Sequence, residues 1–262
     1  MPPDGGMDIR REILRNVILC QALAQLGKKH GSDWPEGRSL GAKVEHYIVA
    51  GVNSSWHFYD LADRVIQTGG QPDCIYDLAY EAQKESARNH LGGHVNYGQV
   101  QLLVPLVTAQ VLDYLESGTH EDVDSILQRT GTVLRNTTAR DVESIERYMH
   151  LGYRFADELR ARSGRPTHQS VPVLKGRYAT VWEAAQDYQN VPTVRETTAG
   201  YPYSQQVYRF LLHNIETGIL PAIEMIRRFL MPEIRRTDVV GDLVATGLYL
   251  LLTKHPEGVL FI

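Results

Sequence analysis

Cysteine is nearly absent: Cys20 and Cys74 are the only two in 262 residues. That scarcity excludes a disulfide framework and a zinc site built on cysteine. Uninterrupted apolar runs are missing too. The longest are broken by Pro105 and Gln110, or by Gly241 and Asp242, so no membrane-spanning segment is expected. There is no excess of positive charge. Lys plus Arg is 27 against 31 for Asp plus Glu, a formal charge of -4, which argues against a nucleic-acid partner. The chain has no Walker phosphate loop, no G-x-G-x-x-G after a strand, no H-E-x-x-H and no G-x-S-x-G. At the N-terminus, Met1–Met7 leads into charged Asp8, Arg10, Arg11 and Glu12, without the apolar region of a secretory leader, so a cytoplasmic location is the default. Strand signals are few. Ser170-Val-Pro-Val-Leu174 is the best, and its proline favours a loop or an edge.

What is there is a soluble globular composition, 43% hydrophobic and 22% charged, in a chain long enough to bury a substantial core. Helical periodicity dominates. It runs from Ile9 to Ala24, over Val44–Ala50 and Trp56–Thr68, and from Asp73, a reasonable N-cap, to Arg88. It resumes over Asn96–Leu115, His120–Leu134, Ala139–Arg162, Tyr178–Tyr188, Ser204–Thr217, Leu220–Met231 and Thr237–Lys254. In Asn96–Leu115 the residues Val100, Leu103, Val104, Val107, Val111 and Leu115 share one face, and Leu102 and Leu106 make the opposite side apolar. A helix apolar on most sides is a buried one; Pro105 should kink it. The expectation is a single all-α domain over residues 1–262, with residues 1–8 a flexible tail and about ten helices packed around that central one.

Chemistry concentrates just before the central helix. Asn89-His-Leu-Gly-Gly-His-Val-Asn-Tyr-Gly-Gln99 packs His90, His94, two asparagines and three glycines ahead of the apolar segment. One reading is a loop that delivers polar groups to a helix N-terminus, where free N–H groups suit phosphate and Gly98 lets a ligand approach the backbone. The other is a helix–helix turn, with Asn96 as N-cap and the histidines at the surface. Residues 28–41 form a second glycine-rich, charged loop that contains Lys28 and Lys29. The acids of Glu121-Asp-Val-Asp124 fit a helix's first turn. Tyrosines gather late in the chain, at Tyr178, Tyr188, Tyr201, Tyr203 and Tyr208, either as a stacking surface or as core rings with outward hydroxyls.

The stretch His94-Val-Asn-Tyr-Gly-Gln-Val-Gln-Leu-Leu-Val-Pro-Leu-Val-Thr-Ala109 resembles the central motif of the triphosphoribosyl-dephospho-CoA synthase family, a turn with Asn and Gly followed by a helix close to "LLLAPLAAA". Asn136–Tyr148, Thr180–Ala185, Arg195–Tyr201 and Gly218–Ile223 are similar to later family segments in the right order. The family's "PKPG" element and its basic C-terminal ending are absent. The resemblance implies an all-α enzyme that moves a phosphorylated ribosyl group from ATP to a hydroxyl, releasing adenine, with ATP as substrate and Mg²⁺ as cofactor. It implies His90, His94 and Asn96 as catalytic groups. Asn96, Gly98, Arg195, Lys28, Lys29 and Tyr201 would hold the nucleotide, and Asp141 with Glu143 the Mg²⁺. A small nucleotide or coenzyme-like partner follows, and oligomerisation is left open. Two alternatives stand beside this: a divergent enzyme acting on a smaller substrate on the same scaffold, and a non-catalytic helical binding protein. Asp141 also suits a helix cap, and Arg195 a solvated pair with Glu196.

Overall fold

The computed structural model describes residues 8–26, 44–90, 95–118, 122–162 and 172–255. Among the described residues the chain forms eleven α-helices, one 3-10 turn at Ile215–Thr217 and no strand. The helices are α1 (Ile9–Leu23), α2 (Val44–Gln67), α3 (Tyr76–Ser86), α4 (Tyr97–Ser117), α5 (Val123–Arg135) and α6 (Ala139–Arg162). They continue with α7 (Val181–Asp187), α8 (Pro192–Thr198), α9 (Pro202–His213), α10 (Ile219–Ile234) and α11 (Thr237–Lys254). No helix among the described residues is long and apolar enough to cross a membrane.

Several starts have purely local causes. Asp122 Oδ1 accepts from the Asp124 and Ser125 N–H groups at 3.1 and 3.2 Å and opens α5. Thr180 Oγ1 accepts from Glu183 N at 3.1 Å, while the Glu183 carboxylate reaches back to Ala179 N at 2.7 Å. Such reciprocal caps satisfy N–H groups that the helix itself leaves free. Pro192 and Pro202 stand in the first turns of α8 and α9, where a missing N–H costs little.

Helix α4 packs against α1, α2, α3, α5, α8 and α11. Val100, Leu102, Leu103, Val104, Leu106, Val107 and Val111 are all buried. Each such side chain contributes about 1.5–3 kcal/mol on leaving water. The apolar surface ends one turn earlier than the pattern suggests, because Leu115 is 40% exposed. The helix runs through Pro105 without a break. Helix α11 is a second apolar element, with Val239, Val240, Leu243, Val244 and the run from Leu248 to Leu252 buried against α1, α4, α9 and α10.

Two local expectations are corrected, and one helix was not expected. The two helices expected over 44–50 and 56–68 are one helix, α2, because Gly51 is a packing position rather than a break. A Cβ there would stand 3.2 Å from Gln21 Cβ, so glycine lets α1 and α2 approach. Asp73 does not cap α3: its side chain is exposed, and α3 starts at Tyr76. The cap comes from Asp141 in α6, whose Oδ1 accepts from Ile75 N at 2.7 Å and Tyr76 N at 3.0 Å. Helix α8 lies in a stretch whose seven residues are too few to show a period.

Candidate functional site

The first turns of α4, α8 and α11 converge on a cavity of about 300 Å³. This lies at the lower end of the range for small-molecule sites. Helix α4 contributes Tyr97, Gly98 and Gln101, α8 contributes Pro192 and Thr193, and α11 contributes Asp238, Val239 and Asp242. Ile145, Met149 and Tyr153 from α6 and Val181, Ala184 and Ala185 from α7 form an apolar wall. Tyr47 from α2, Tyr76 from α3 and Gln25 from beyond α1 complete it. Most of these groups are apolar or aromatic, with a few polar side chains among them, the usual make-up of a ligand pocket.

The aromatic wall is held rigidly. Tyr97 stacks on Tyr148 with ring centroids 4.3 Å apart, and the Tyr148 hydroxyl donates to the Tyr97 carbonyl. Burial pushes the Tyr76 and Tyr97 phenols well above their ordinary range, so both stay protonated. Tyr47 is pushed up to about 12, first by burial and then by the nearby Asp242 and Asp238 charges.

The charged lining residues are mostly acidic. Asp238 and Asp242 stand one turn apart on α11, and Arg236 Nη2 donates to Asp238 Oδ2 at 2.6 Å. Burial raises the Asp238 carboxyl, but the Arg236 hydrogen bond and charge outweigh it, and the group lies below its ordinary range. Asp242 fills the space that a side chain at Gly98 would take. A Cβ on Gly98 would stand 2.0 Å from Asp242 Oδ2 and 2.6 Å from its Cγ. The close approach that Gly98 permits is therefore used by a carboxylate of the chain itself, at the electropositive start of α4. Thr193 Oγ1 donates to Gln101 Oε1 at 2.9 Å, tying α8 to α4. Gln25 is 1% exposed, and its Oε1, a buried acceptor in the wall, has no partner among the described residues.

The residues expected from sequence distribute unevenly around this cavity. Gly98 lines it. Asn96 is completely buried one layer behind: its Nδ2 donates to Gln21 Oε1 at 2.5 Å and Ser54 Oγ at 3.3 Å, and its side chain caps no helix N–H. His90 lies outside the cavity, with its Nε2 at 2.5 Å from the Ser86 carbonyl oxygen and its ring stacked on His46. Tyr201 is a core residue whose hydroxyl donates to Leu102 O at 2.8 Å. Arg195 is exposed on α8 and is not part of the lining. Asp141 is consumed by backbone N–H groups, those of Ile75, Tyr76 and Thr138. Glu143 pairs with Lys175 at 2.8 Å. These two acids do not converge, and no group of three metal-ligating side chains occurs among the described residues. Lys28, Lys29 and His94 lie outside the described residues.

Sequence reasoning passed over Tyr47, Gln25, Asp238 and Asp242. The last two carry a legible signal, acids at i and i+4 at the start of an apolar helix, which share one face. No family model matches the chain, and no curated protein or solved structure matches it.

Proposed function

We propose that the protein is an enzyme acting on a small, ring-bearing molecule in the cavity at the starts of α4, α8 and α11. In the form that the resemblance gives it, the enzyme is a transferase that moves a phosphorylated ribosyl group from ATP to a hydroxyl nucleophile and releases adenine. The observation that carries this reading is the pairing of a tyrosine-walled, largely apolar cavity with two carboxylates one turn apart. The rings of Tyr47, Tyr97 and Tyr153 suit a flat heterocycle. The unpartnered Gln25 Oε1 is an acceptor for an exocyclic amino group.

The donor set fits Mg²⁺, a hard cation that takes carboxylate oxygens and keeps several waters. Asp238 and Asp242 replace Asp141 and Glu143 as the residues proposed to hold it. When bound, the ion would neutralise phosphate charge.

A second reading has its own support. Among the described lining residues Arg236 is the sole cation, and it is already paired with Asp238. An acidic lining favours a smaller substrate of low negative charge. Incubation with ATP, Mg²⁺ and dephospho-CoA, with adenine as the readout, separates the two. Mg²⁺-dependent adenine release that Asp242→Asn abolishes supports the transferase. No adenine release, together with thermal stabilisation by an amine or a neutral ring compound, refutes it in favour of the smaller substrate.

A further inference from the structure

The wall that α5, α6 and α7 give the cavity is of a different kind from the rest. Leu134 from α5, Ile145 and Met149 from α6, and Val181, Ala184 and Ala185 from α7 line it. Among the described residues, the Tyr153 hydroxyl is the one side-chain nitrogen or oxygen that these helices add. Every charged or amide side chain of the lining, Gln25, Gln101, Arg236, Asp238 and Asp242, comes from other elements. The wall is held by contacts of its own. Val181 N donates to Thr137 Oγ1 at 2.8 Å, and Lys175 N donates to Glu146 Oε2 at 2.8 Å. The Arg135 guanidinium lies 4.9 Å from the Trp182 ring centroid and ties α5 to α7. A preformed surface of this kind costs little to bind against. It offers nothing to a phosphate, carboxylate or amine, which would give up water there without replacement.

Size narrows the choice further. The cavity has a volume of about 300 Å³, and a cavity of about 150 Å³ is enough for one benzene ring. A ring held by the tyrosines therefore uses about half, and the remainder takes about six more carbons on the same scale. Ala184 and Ala185 are buried and are the smallest side chains in this wall. A leucine at either position would take about half of that remaining space. We infer that the space bounded by α5, α6 and α7 is a subsite for an uncharged aliphatic chain of up to about six carbons, whose length Ala184 and Ala185 limit. The substrate class is then an amphiphile with a ring and a short alkyl tail, and not a long-chain lipid. The inference rests on the proposed reading of the cavity as a ligand site, and not on ATP being the ligand.

The test uses the full chain, with N-alkylimidazoles carrying methyl, butyl, hexyl and octyl chains as probes, read by calorimetry and thermal unfolding. Wild type should gain about fourfold in affinity per methylene from methyl to hexyl, and its melting temperature should rise in step. Octyl should gain nothing over hexyl. Ala184→Leu and Ala185→Leu should bind the methyl probe as wild type does and stop gaining before butyl. Val181→Thr keeps the volume and adds a hydroxyl, and should weaken hexyl about tenfold more than methyl. The inference is overturned if no probe binds, if wild-type affinity does not depend on chain length, or if octyl continues the gain of the shorter chains. It is also overturned if neither leucine variant shortens the chain accepted. Should both leucine variants fail to fold, Val181→Thr decides alone, and an unchanged preference for hexyl over methyl overturns it. Chain-length-dependent binding without adenine release supports the subsite while refuting the transferase. Adenine release by a wild type that binds all chains alike does the reverse.

Discussion

Gly98→Ala tests the contact on which the site is built. An added methyl would stand 2.0 Å from Asp242 Oδ2, 2.6 Å from Asp242 Cγ and 3.2 Å from Thr193 Cγ2. Ordinary carbon contacts lie at about 3.5–4.0 Å, so the overlap with Asp242 exceeds about 1 Å. Either Asp242 leaves its rotamer, at about 0.5–1.5 kcal/mol, or α4 and α11 separate, at about 1–3 kcal/mol. Against this, alanine gains about 1 kcal/mol over glycine within a helix, and Gly98 has no left-handed backbone to oppose it. The net expectation is a destabilisation of about 0–2 kcal/mol, a fall of up to about 8 °C for a chain of this size. Ligand or cation binding should fall further than stability does, because Asp242 is swung out of the cavity. The decisive measurement is a double-mutant cycle with Asp242→Ala, read by urea unfolding. With the carboxylate gone, alanine at 98 should be neutral or stabilising by up to about 1 kcal/mol, so the coupling equals the strain relieved, about 0.5–3 kcal/mol. Coupling within about 0.5 kcal/mol of zero would refute the close approach and with it the placement of Asp242.

Asp141→Ala should cost about 2–4 kcal/mol, since it strips partners from the Ile75, Tyr76 and Thr138 N–H groups; calorimetry with Mg²⁺ should show no change in affinity. Tyr201→Phe leaves the Leu102 carbonyl short of one buried donor and should cost about 1–2 kcal/mol in urea unfolding, with ligand binding intact. Asn96→Ala removes the donor to Gln21 and Ser54 and should destabilise by about 1–3 kcal/mol. A change in turnover per folded molecule would return Asn96 to the site itself. Burial raises the Glu196 carboxyl above its ordinary 4.5, although the Ser204 and Tyr203 N–H groups partly hold it down. The folded state then holds this proton more tightly than the unfolded chain does. Its contribution to stability is full below 4.5 and is lost as pH rises through the folded value. Glu196→Gln should flatten that part of the stability–pH curve, and an unchanged slope would count against the assignment.

The sequence by itself determined the class of fold and the buried helix α4, because each rests on spacings of a few residues along one helix; the starts of α5 and α7, expected at His120 and Tyr178, lie three residues later, after the caps Asp122 and Thr180. Tertiary structure alone decided what the polar residues around that helix do. Asn96 has the right identity for an N-cap, yet its amide donates to Gln21 and Ser54, which lie 75 and 42 residues away. Asp141 was legible as a cap on its own helix, but not as the cap of α3, which begins 65 residues earlier. Arg195 and Tyr201 are near neighbours in sequence. The turn at Gly200 and the left-handed backbone at Tyr201 send the ring into the core while Arg195 stays exposed. Asp238 and Asp242 share a face by periodicity, a pattern that solvent-exposed helices also show. What makes them part of a cavity is the close packing of α11's first turn on α4's at Gly98. Local spacing reports on one or two turns of a single helix, whereas a site made where three helix starts meet depends on contacts that no local spacing encodes.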